Sequence, residues 1–371
     1  MKKAVVIAAV LLSASPAFAQ LGKLGQLTKQ AEKLADLNIS EQEERDLGER
    51  VSATVRTEFG VLQDAAVTRY VALVGNVLAK SSSRPGLKWE FIVLDTDGVN
   101  AFAAPGGLVH ITKGALGLIR SEAELAGVLG HEIAHVTKKH TVNAIKKSKA
   151  IKMTTEEVGA KGSAYYSKLA NAAYDNVVER GFDRGDERDA DEEGVRLANK
   201  AGYNPAGLES FLEKLIERNK GMAAGDKPNG LFSTHPDTQA RIDELKKQIK
   251  GEKLTAAAMG TARYTSSVKY QAKPVSSVAL SNSAAKGVTG GSAAAKPEPK
   301  KEEKKGGMFG GLGSKLSTGT QKESTQASAS AGGRAVDGSR PDRYAAGGGN
   351  PNKITITLMP AEIEAFKKGI A

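Results

Sequence analysis

The sequence predicts an α+β fold that is mostly helical and carries one small β-sheet. Several segments place apolar side chains at helical spacing behind residues that favour helix starts. Only two segments, 87–94 and 108–112, have the β-branched and aromatic content of strands. These two segments are clustered in the chain instead of alternating with the helices. Clustered strands beside a larger number of helices are typical of the α+β class.

Capping residues mark the helix starts in the first half of the chain. Ser40 and Ser121 are each followed three residues later by a glutamate, which is the pattern of a capping box. Asp64 is the expected N-cap of a helix between them, with apolar residues at helical spacing behind it. The predicted helices run from Ser40 towards Phe59, from Asp64 to about Leu78, and from Ser121 to about Val136.

The second half of the chain continues as helices. They are predicted at about residues 163–180, 186–201, 206–219 and 237–250, and Gly202 is expected to end the second of them. The two strands flank the turn-rich sequence from Ala104 to Gly107. Residues 20–251 are therefore expected to form one globular domain.

The first residues have the pattern of a secretory signal peptide. Lys2 and Lys3 precede an apolar run from Ala4 to Leu12, and a small-residue cleavage sequence ends at Ala19. The run is about half as long as the roughly 20 residues that a membrane-spanning helix needs. We therefore expect residues 1–19 to be a signal peptide. The mature protein is expected in the periplasm, or secreted as a second choice, without a transmembrane segment.

The net charge of +11 belongs to the end of the chain and not to the domain. Residues 21–250 carry equal numbers of acidic and basic side chains, so the excess lies after residue 250, apart from Lys2 and Lys3. This distribution argues against nucleic acid as a partner and indicates a basic tail that can contact an anionic envelope surface. The chain has no cysteine, so no disulfide supports the domain.

Low-complexity sequence follows the domain. Residues 252–352 consist mainly of Ala, Ser, Gly, Lys and Thr. Such a composition buries too little apolar surface to offset the entropy of ordering the chain, so we expect a disordered basic linker. Residues 353–371 regain apolar character, and we expect a short strand at 354–358 followed by a helix after Pro360.

Three residues on the predicted helix after Ser121 carry the most specific chemical signal. His131 and His135 lie one turn apart and about 40° apart around the helix, so both imidazoles can bind one tetrahedral zinc ion. Glu132 lies on the flank of that face, where its carboxylate can take a proton from a zinc-bound water. His140 lies on the opposite side of a continuous helix and is expected not to share the metal.

A third ligand must come from elsewhere in the chain. The candidates are His110 on a predicted strand, His235 on a predicted loop and Glu187 on a predicted helix. Glu187 and Asp191 share one face of that helix, so one carboxylate can bind zinc while the other orients a ligand imidazole. Spacing alone does not choose between these alternatives.

Four stretches of the chain form a joint pattern. They are NAFAAPGG at 100–107, SEAELAGVLGHEIAHV at 121–136, RGDERDAD at 184–191, and THP at 234–236 with RI at 241–242. In this order they resemble the gluzincin-type peptidases related to the CAAX prenyl protease, HtpX and the periplasmic BepA proteases, and the resemblance covers roughly residues 40–250. The membrane-embedded relatives have spanning helices that this chain lacks in its sequence, and BepA-like proteins carry helical repeats where this chain has its basic tail.

The resemblance implies a zincin-like domain with one zinc ion per chain. It makes Glu187 the third zinc ligand and gives Asp191 a supporting or proton-donating role. It makes His235 a histidine near the metal, which steadies the oxyanion or approaches zinc in a resting state. A substrate polypeptide in extended conformation would pair with the sheet edge that flanks the zinc site. The residues of that edge are Asn100, Ala101, Phe102, Ala103, Pro105, Gly106 and Gly107.

The expected function is that of a zinc metalloendopeptidase that cleaves unfolded or misassembled cell-envelope proteins through a zinc-bound water activated by Glu132. An alternative is a chaperone-like or scaffolding envelope protein with a mostly latent zinc site. Hydrolysis of a non-protein envelope polymer is a third reading, and the match over the peptide-binding edge argues against it.

Overall fold

The computed structural model of the chain describes residues 39–147, 162–220, 230–236, 238–281 and 341–370. The expected signal peptide at 1–19 and the central part of the expected linker lie outside the described residues. The described part confirms a mostly helical α+β fold with a small sheet. None of its helices is long and apolar enough to span a membrane.

The first half of the domain contains the sheet and the helices around it. Ser40 caps the first helix with a complete capping box, as predicted. Ser121 caps its helix through the Glu124 amide, but the Glu124 side chain accepts a hydrogen bond from the Arg120 amide instead of closing the box. The elements are α1 (Glu41–Phe59), α2 (Ala65–Lys80), β1 (Glu90–Leu94), β2 (Ala101–Ala104), β3 (Leu108–Thr112), α3 (Lys113–Leu118), α4 (Glu122–Thr137) and α5 (His140–Lys147).

The second half is helical, as predicted. Gly202 ends its helix in the left-handed conformation with φ of 103°, which confirms its predicted role as a C-terminal stop. The elements are α6 (Ser163–Tyr174), a π-helix (Asp175–Arg180), α7 (Arg184–Ala201), α8 (Gly207–Asn219), α9 (Gly230–Thr234), α10 (Thr238–Gly251), α11 (Thr261–Ser267), a 3-10 turn (Val275–Ser277) and α12 (Pro360–Lys368).

The sheet has three strands in the order β1-β3-β2. β1 pairs with β3 in parallel, and β2 pairs with β3 in antiparallel, with Phe102 opposite His110. The sequence did not predict β2 as a strand, because its Ala-Phe-Ala-Ala sequence lacks a strand pattern. β2 is an outer strand of this sheet and follows Asn100, whose side-chain oxygen accepts a hydrogen bond from the Ala101 amide at 2.9 Å.

Helices α4 and α7 cross at two glycines. A Cβ atom on Gly130 would lie 2.8 Å from the carbonyl oxygen of Gly194, and one on Gly194 would lie 2.7 Å from the amide nitrogen of His131. Side chains at these positions would push the helices apart, so the glycines permit the close approach. The crossing brings the histidine motif of α4 against the acidic run of α7.

The prediction of disorder over the whole of 252–352 is wrong at both ends. Residues 252–281 and 341–352 pack on the domain through a few anchors instead of a broad apolar face. Tyr264 is 2% exposed, and its hydroxyl donates to the Leu116 carbonyl at 2.6 Å. Asp342 is buried and accepts two hydrogen bonds from Arg218. A low average apolar content does not exclude such anchored packing.

The last segment agrees with its prediction in part. A helix begins at Pro360, as predicted, and buries Ile363 against the domain. The residues at 354–358 form no strand and join no sheet within the described chain, so the predicted strand is wrong. The apolar alternation that suggested a strand instead lets Ile356 and Leu358 pack against the core.

Candidate metal centre

The α4 helix presents two histidines to one point, as their spacing predicted. Both are buried, with His131 4% and His135 1% exposed. Their Nε2 atoms lie 3.0 Å apart. Two imidazole nitrogens this close together can bind the same metal ion.

Helix α7 supplies a carboxylate to the same point. Glu187 is buried, and its Oε1 lies 3.4 Å from Nε2 of His135. Its Oε2 lies 3.6 Å from Nε2 of His131. The pKa of Glu187 is held well below its usual range, because His235 and Arg241 outweigh the effect of burial. Glu187 is therefore ionised and available as a metal ligand.

His235 follows the short α9 helix and completes the group. Its Nδ1 atom lies 3.1 Å from Nε2 of His131 and 2.9 Å from Oε1 of Glu187. Ligand atoms of four residues, His131, His135, Glu187 and His235, all lie within 4.8 Å of one another. The other histidine candidate, His110 on β3, is not part of the group. Its Nε2 lies 2.8 Å from the hydroxyl oxygen of Ser52 on α1.

The spacing of this group suits a zinc-sized ion. Zinc binds nitrogen and oxygen at about 2.0–2.2 Å, so neighbouring ligand atoms on a tetrahedron lie about 3.3–3.6 Å apart. The two separations between Glu187 and the α4 histidines, 3.4 and 3.6 Å, fall in this range. The other three, at 2.9–3.1 Å, are a few tenths of an ångström shorter. The donor set of three imidazoles and one carboxylate is also one that zinc accepts.

Glu132 lies beside the group, with its Oε1 3.7 Å from Nε2 of His235. Both carboxylate oxygens are buried, and neither has a hydrogen-bond partner in the described part of the chain. Burial raises the pKa of this carboxyl group, although the neighbouring histidines oppose the rise. A buried carboxylate without a hydrogen bond is costly to fold, which indicates a chemical role.

Asp191 lies one turn beyond Glu187 and contacts a ligand histidine. Its Oδ1 is 2.8 Å from Nδ1 of His131. Burial would raise the pKa of Asp191, but the Arg241 guanidinium, which donates to both of its oxygens at 2.7 Å, brings the pKa to about 2. Arg241 also lies 3.0 Å from Glu187, so one buried cation balances both carboxylates.

His140 does not lie on the opposite side of a continuous helix, which was the geometry from which its exclusion as a ligand was predicted. Helix α4 ends at Thr137, and Lys139 takes the left-handed conformation with φ of 57°, so the chain changes direction before His140. This turn brings Nδ1 of His140 to 2.9 Å from Nδ1 of His135. His140 is not one of the four potential ligand residues, but it contacts one of them.

The predicted substrate edge is built into the fold and buried. The residues from Asn100 to Gly107 form β2 with its flanking turn. Backbone groups of Gly106 already pair with Glu44 and Arg45 of α1, and the Gly107 carbonyl pairs with the Glu90 amide. The turn therefore keeps few backbone groups for a substrate, and the residues of β2 are themselves at most 2% exposed.

Sequence reasoning gave no role to Arg241 and missed Phe182. Arg241 was noted only as part of a matching stretch, although two buried carboxylates on α7 require a cation nearby. Phe182 stacks on the His135 ring with centroids 3.9 Å apart. Its position before the capping residue of α7 carried no signal that could have revealed this contact.

The region that contains the metal group matches a known protein family. The profile described as peptidase family M48 matches residues 65–249, which include all four potential ligands. The chain is 27% identical over 224 residues to the β-barrel assembly-enhancing protease of Yersinia pestis, covering 57% of this chain and 45% of that protein. The Escherichia coli K12 protein of the same name is 27% identical over 222 residues, with the same two shares.

A mitochondrial protein is similar over much of the same region. The metalloendopeptidase OMA1 of Arabidopsis thaliana is 28% identical over 212 residues, covering 56% of this chain and 41% of that protein. The chain thus spans less than half the length of these curated relatives. Each of them is named as a protease or endopeptidase.

Proposed function

The chain belongs to peptidase family M48 through residues 65–249, and from that membership we propose that it is a zinc-dependent endopeptidase of unfolded or misassembled cell-envelope proteins. The observation that carries the proposal is the convergence of His131, His135 and Glu187 beside the Glu132 carboxylate, which has no hydrogen-bond partner in the described chain. Membership of the family makes the protein a metallopeptidase. The choice of zinc and the class of substrate are the proposed part.

Glu132 acts as the general base. When bound, a zinc ion supplies Lewis-acid chemistry, since it lowers the pKa of a water and polarises a carbonyl group. A carboxylate oxygen of Glu132 accepts the proton of the attacking water and then passes it to the nitrogen of the leaving amine. The absence of a hydrogen-bond partner at either oxygen in the described chain supports this role, because the base is uncommitted.

Asp191 supports His131. Both of its oxygens accept hydrogen bonds from Arg241, whose guanidinium lowers the pKa of Asp191 and favours the ionised form. Its contact with Nδ1 keeps the proton of His131 on that nitrogen and leaves Nε2 free to bind the metal. Of the two roles expected for this residue, the supporting one is favoured.

The outer edge of β2 is the proposed place for the substrate strand. An extended polypeptide can add to an outer strand through main-chain hydrogen bonds, which suits unfolded proteins of varied sequence. The Thr141 hydroxyl lies 3.5 Å from the Ala103 carbonyl, one residue after His140. This contact relates the strand to the segment that touches the metal group, and a substrate strand would have to displace it to pair with the Ala103 carbonyl.

Two observations support the proposal that the protein acts in the cell envelope. The first is the N-terminal sequence, which has the pattern of a signal peptide. The second is the name of two relatives, which are called β-barrel assembly-enhancing proteases. We extend this by proposing a periplasmic location and substrates among envelope proteins that have failed to assemble.

Substrate trapping tests the proposal. The Glu132→Gln protein, which keeps the ligands but lacks the base, is exported in a bacterial host, cross-linked to bound proteins and analysed by mass spectrometry. The Glu187→Ala protein, which lacks a ligand, is the control. We expect unfolded envelope proteins to be enriched on Glu132→Gln and to be cleaved by the wild-type protein in vitro. Trapped proteins that the wild type leaves intact would overturn the proposal.

One observation favours a second function, that of a chaperone-like or scaffolding protein with a latent site. His235 fills the fourth place around the metal position, and catalytic zinc sites keep one position open. In a strain that lacks the protein, this function predicts equal rescue of an envelope-stress phenotype by the wild type and Glu132→Gln. Rescue by the wild type alone supports the peptidase.

A further inference from the structure

We propose that His140 is a positioning residue that accepts a hydrogen bond from Nδ1 of His135 and so keeps Nε2 of His135 available to the metal. The inference rests on the proposed function, because it concerns the same metal position. The two Nδ1 atoms lie 2.9 Å apart, which is a hydrogen-bond distance between ring nitrogens. Nε2 of His135 faces the opposite way, towards Nε2 of His131 at 3.0 Å.

The position of the proton between His135 and His140 decides whether His135 can bind a metal ion. A neutral imidazole carries a proton on one nitrogen and a lone pair on the other. If His135 donates from Nδ1 to His140, its Nε2 has the lone pair that a metal ion requires. If His140 were the donor, the proton of His135 would lie on Nε2, and this histidine could not bind the metal. The tautomer of His140 therefore decides whether His135 is a ligand.

Asp186 favours the productive tautomer of His140. Its Oδ1 lies 3.7 Å from Nε2 of His140. This separation is longer than a hydrogen bond, so Asp186 acts by electrostatic attraction. A carboxylate on that side favours the N–H of His140 at Nε2 and the lone pair at Nδ1.

The fold holds His140 in this place from two sides. The left-handed turn at Lys139 reverses the chain after α4, and a non-glycine residue takes this conformation at a cost. Phe182 stacks on His135 with ring centroids 3.9 Å apart and lies 6.0 Å from the His140 ring. The two histidine rings are nearly perpendicular, at 76°, so the edge of one ring faces the other.

The two ligand histidines of α4 thus have different supports. His131 contacts the carboxylate of Asp191 at 2.8 Å, whereas His135 contacts the imidazole ring of His140 at 2.9 Å. Partners of this kind fix the ring orientation of a ligand, and their loss lowers metal affinity by about 10- to 100-fold. His140 is assigned the same kind of contribution at His135.

Two substitutions of His140 separate this role from simple packing. The side-chain oxygen of asparagine can take the place of Nδ1, whereas that of glutamine reaches the place of Nε2. We expect His140→Asn to bind zinc nearly as tightly as the wild type, and His140→Gln to bind about 10- to 100-fold more weakly in a chelator competition assay. The visible spectrum of the cobalt-substituted protein should be kept by His140→Asn and altered by His140→Gln.

Several outcomes would overturn the inference. Wild-type affinity in both variants, equal loss in both, or tighter binding by His140→Gln would each show that acceptance at Nδ1 is not the role of His140. Absence of zinc binding by the wild type would instead contradict the proposed function, so the two failures are distinguishable. Circular dichroism of the zinc-free proteins checks that both variants fold.

A measurement on the wild type needs no substitution. In zinc-loaded protein labelled with ¹⁵N at histidine, NMR can detect a coupling between two nitrogens that share a hydrogen bond. We expect such a coupling between Nδ1 of His135 and Nδ1 of His140, with the proton on His135. A zinc-loaded protein without this coupling, or with the proton on His140, would overturn the inference even if both variants were poorly folded.

Discussion

Oδ1 of Asp191 lies 2.8 Å from Nδ1 of His131, and the same carboxylate accepts two hydrogen bonds from Arg241. One buried carboxylate thus connects a metal-facing histidine to a buried cation on α10. Asp191→Asn keeps the size of the side chain but removes its charge. We expect zinc affinity to fall by about 10- to 100-fold, because the charge no longer holds the proton of His131 on Nδ1.

The measurement for Asp191→Asn is a zinc dissociation constant from chelator competition. Glu193→Gln, on the same helix and away from the metal group, is the matched control and should bind like the wild type. Unchanged affinity in Asp191→Asn would mean that its contact with His131 has no part in metal binding.

His235 gives a second prediction. Because His235 takes the fourth place in the group, its replacement by alanine opens a position for water and substrate. We expect His235→Ala to exchange zinc faster and to cleave a short unstructured peptide faster than the wild type. Stopped-flow chelation and a fluorogenic peptide measure the two rates. Retained zinc with slower cleavage would instead assign His235 to stabilisation of the oxyanion.

The third prediction concerns the anchored tail. Arg218 on α8 donates to both oxygens of Asp342, and both side chains are nearly inaccessible to solvent. Arg218→Met leaves the Asp342 carboxylate buried without its partner, which costs about 3–5 kcal/mol of unfolding free energy. Urea denaturation measures the loss, and the double variant Arg218→Met, Asp342→Leu should recover most of it.

Lys220→Met is the control for the tail prediction, because Lys220 lies two residues away on the surface and pairs only with Glu217 among the described contacts. It should change the unfolding free energy by less than about 1 kcal/mol. Equal stability of Arg218→Met and the wild type would contradict the view that residues 341–352 are part of the folded domain.

A pH prediction follows from Glu90 at the start of β1. Burial would raise the pKa of Glu90, but Lys353 and Arg45 outweigh it and lower the pKa from 4.5 to about 2. A depressed folded-state pKa means that this stabilisation is complete above the unfolded pKa and is lost as pH falls from about 4.5 towards 2. In urea titrations over this window, Glu90→Gln should show a weaker pH dependence than the wild type. An identical dependence would contradict the assignment.

The sequence predicted the parts of the fold that depend on local rules. The capping serine at Ser40, the stop at Gly202 and the one-turn spacing of His131 and His135 all act within a few residues of chain. The structure also brings Glu187 to the same point as the two histidines. Here the sequence offered alternatives, and the resemblance to a family chose between them.

The features that the sequence did not predict depend on tertiary contacts. The position of His140 depends on a left-handed residue, Lys139, which nothing in the local sequence requires. The strand β2 has no strand pattern of its own and exists because it pairs with β3. The packing of 252–281 depends on single anchors such as Tyr264, which a compositional average does not reveal.

We expect the protein to hold one zinc ion and to use Glu132 as the base of peptide hydrolysis. Purified wild-type and Glu132→Gln proteins can be compared for zinc content and for cleavage of an unfolded protein. We expect one zinc per chain in both and a rate on the order of 10²- to 10⁴-fold lower, or undetectable, in Glu132→Gln. Cleavage by Glu132→Gln at the wild-type rate, or a wild-type enzyme that is active without bound metal, would contradict this expectation.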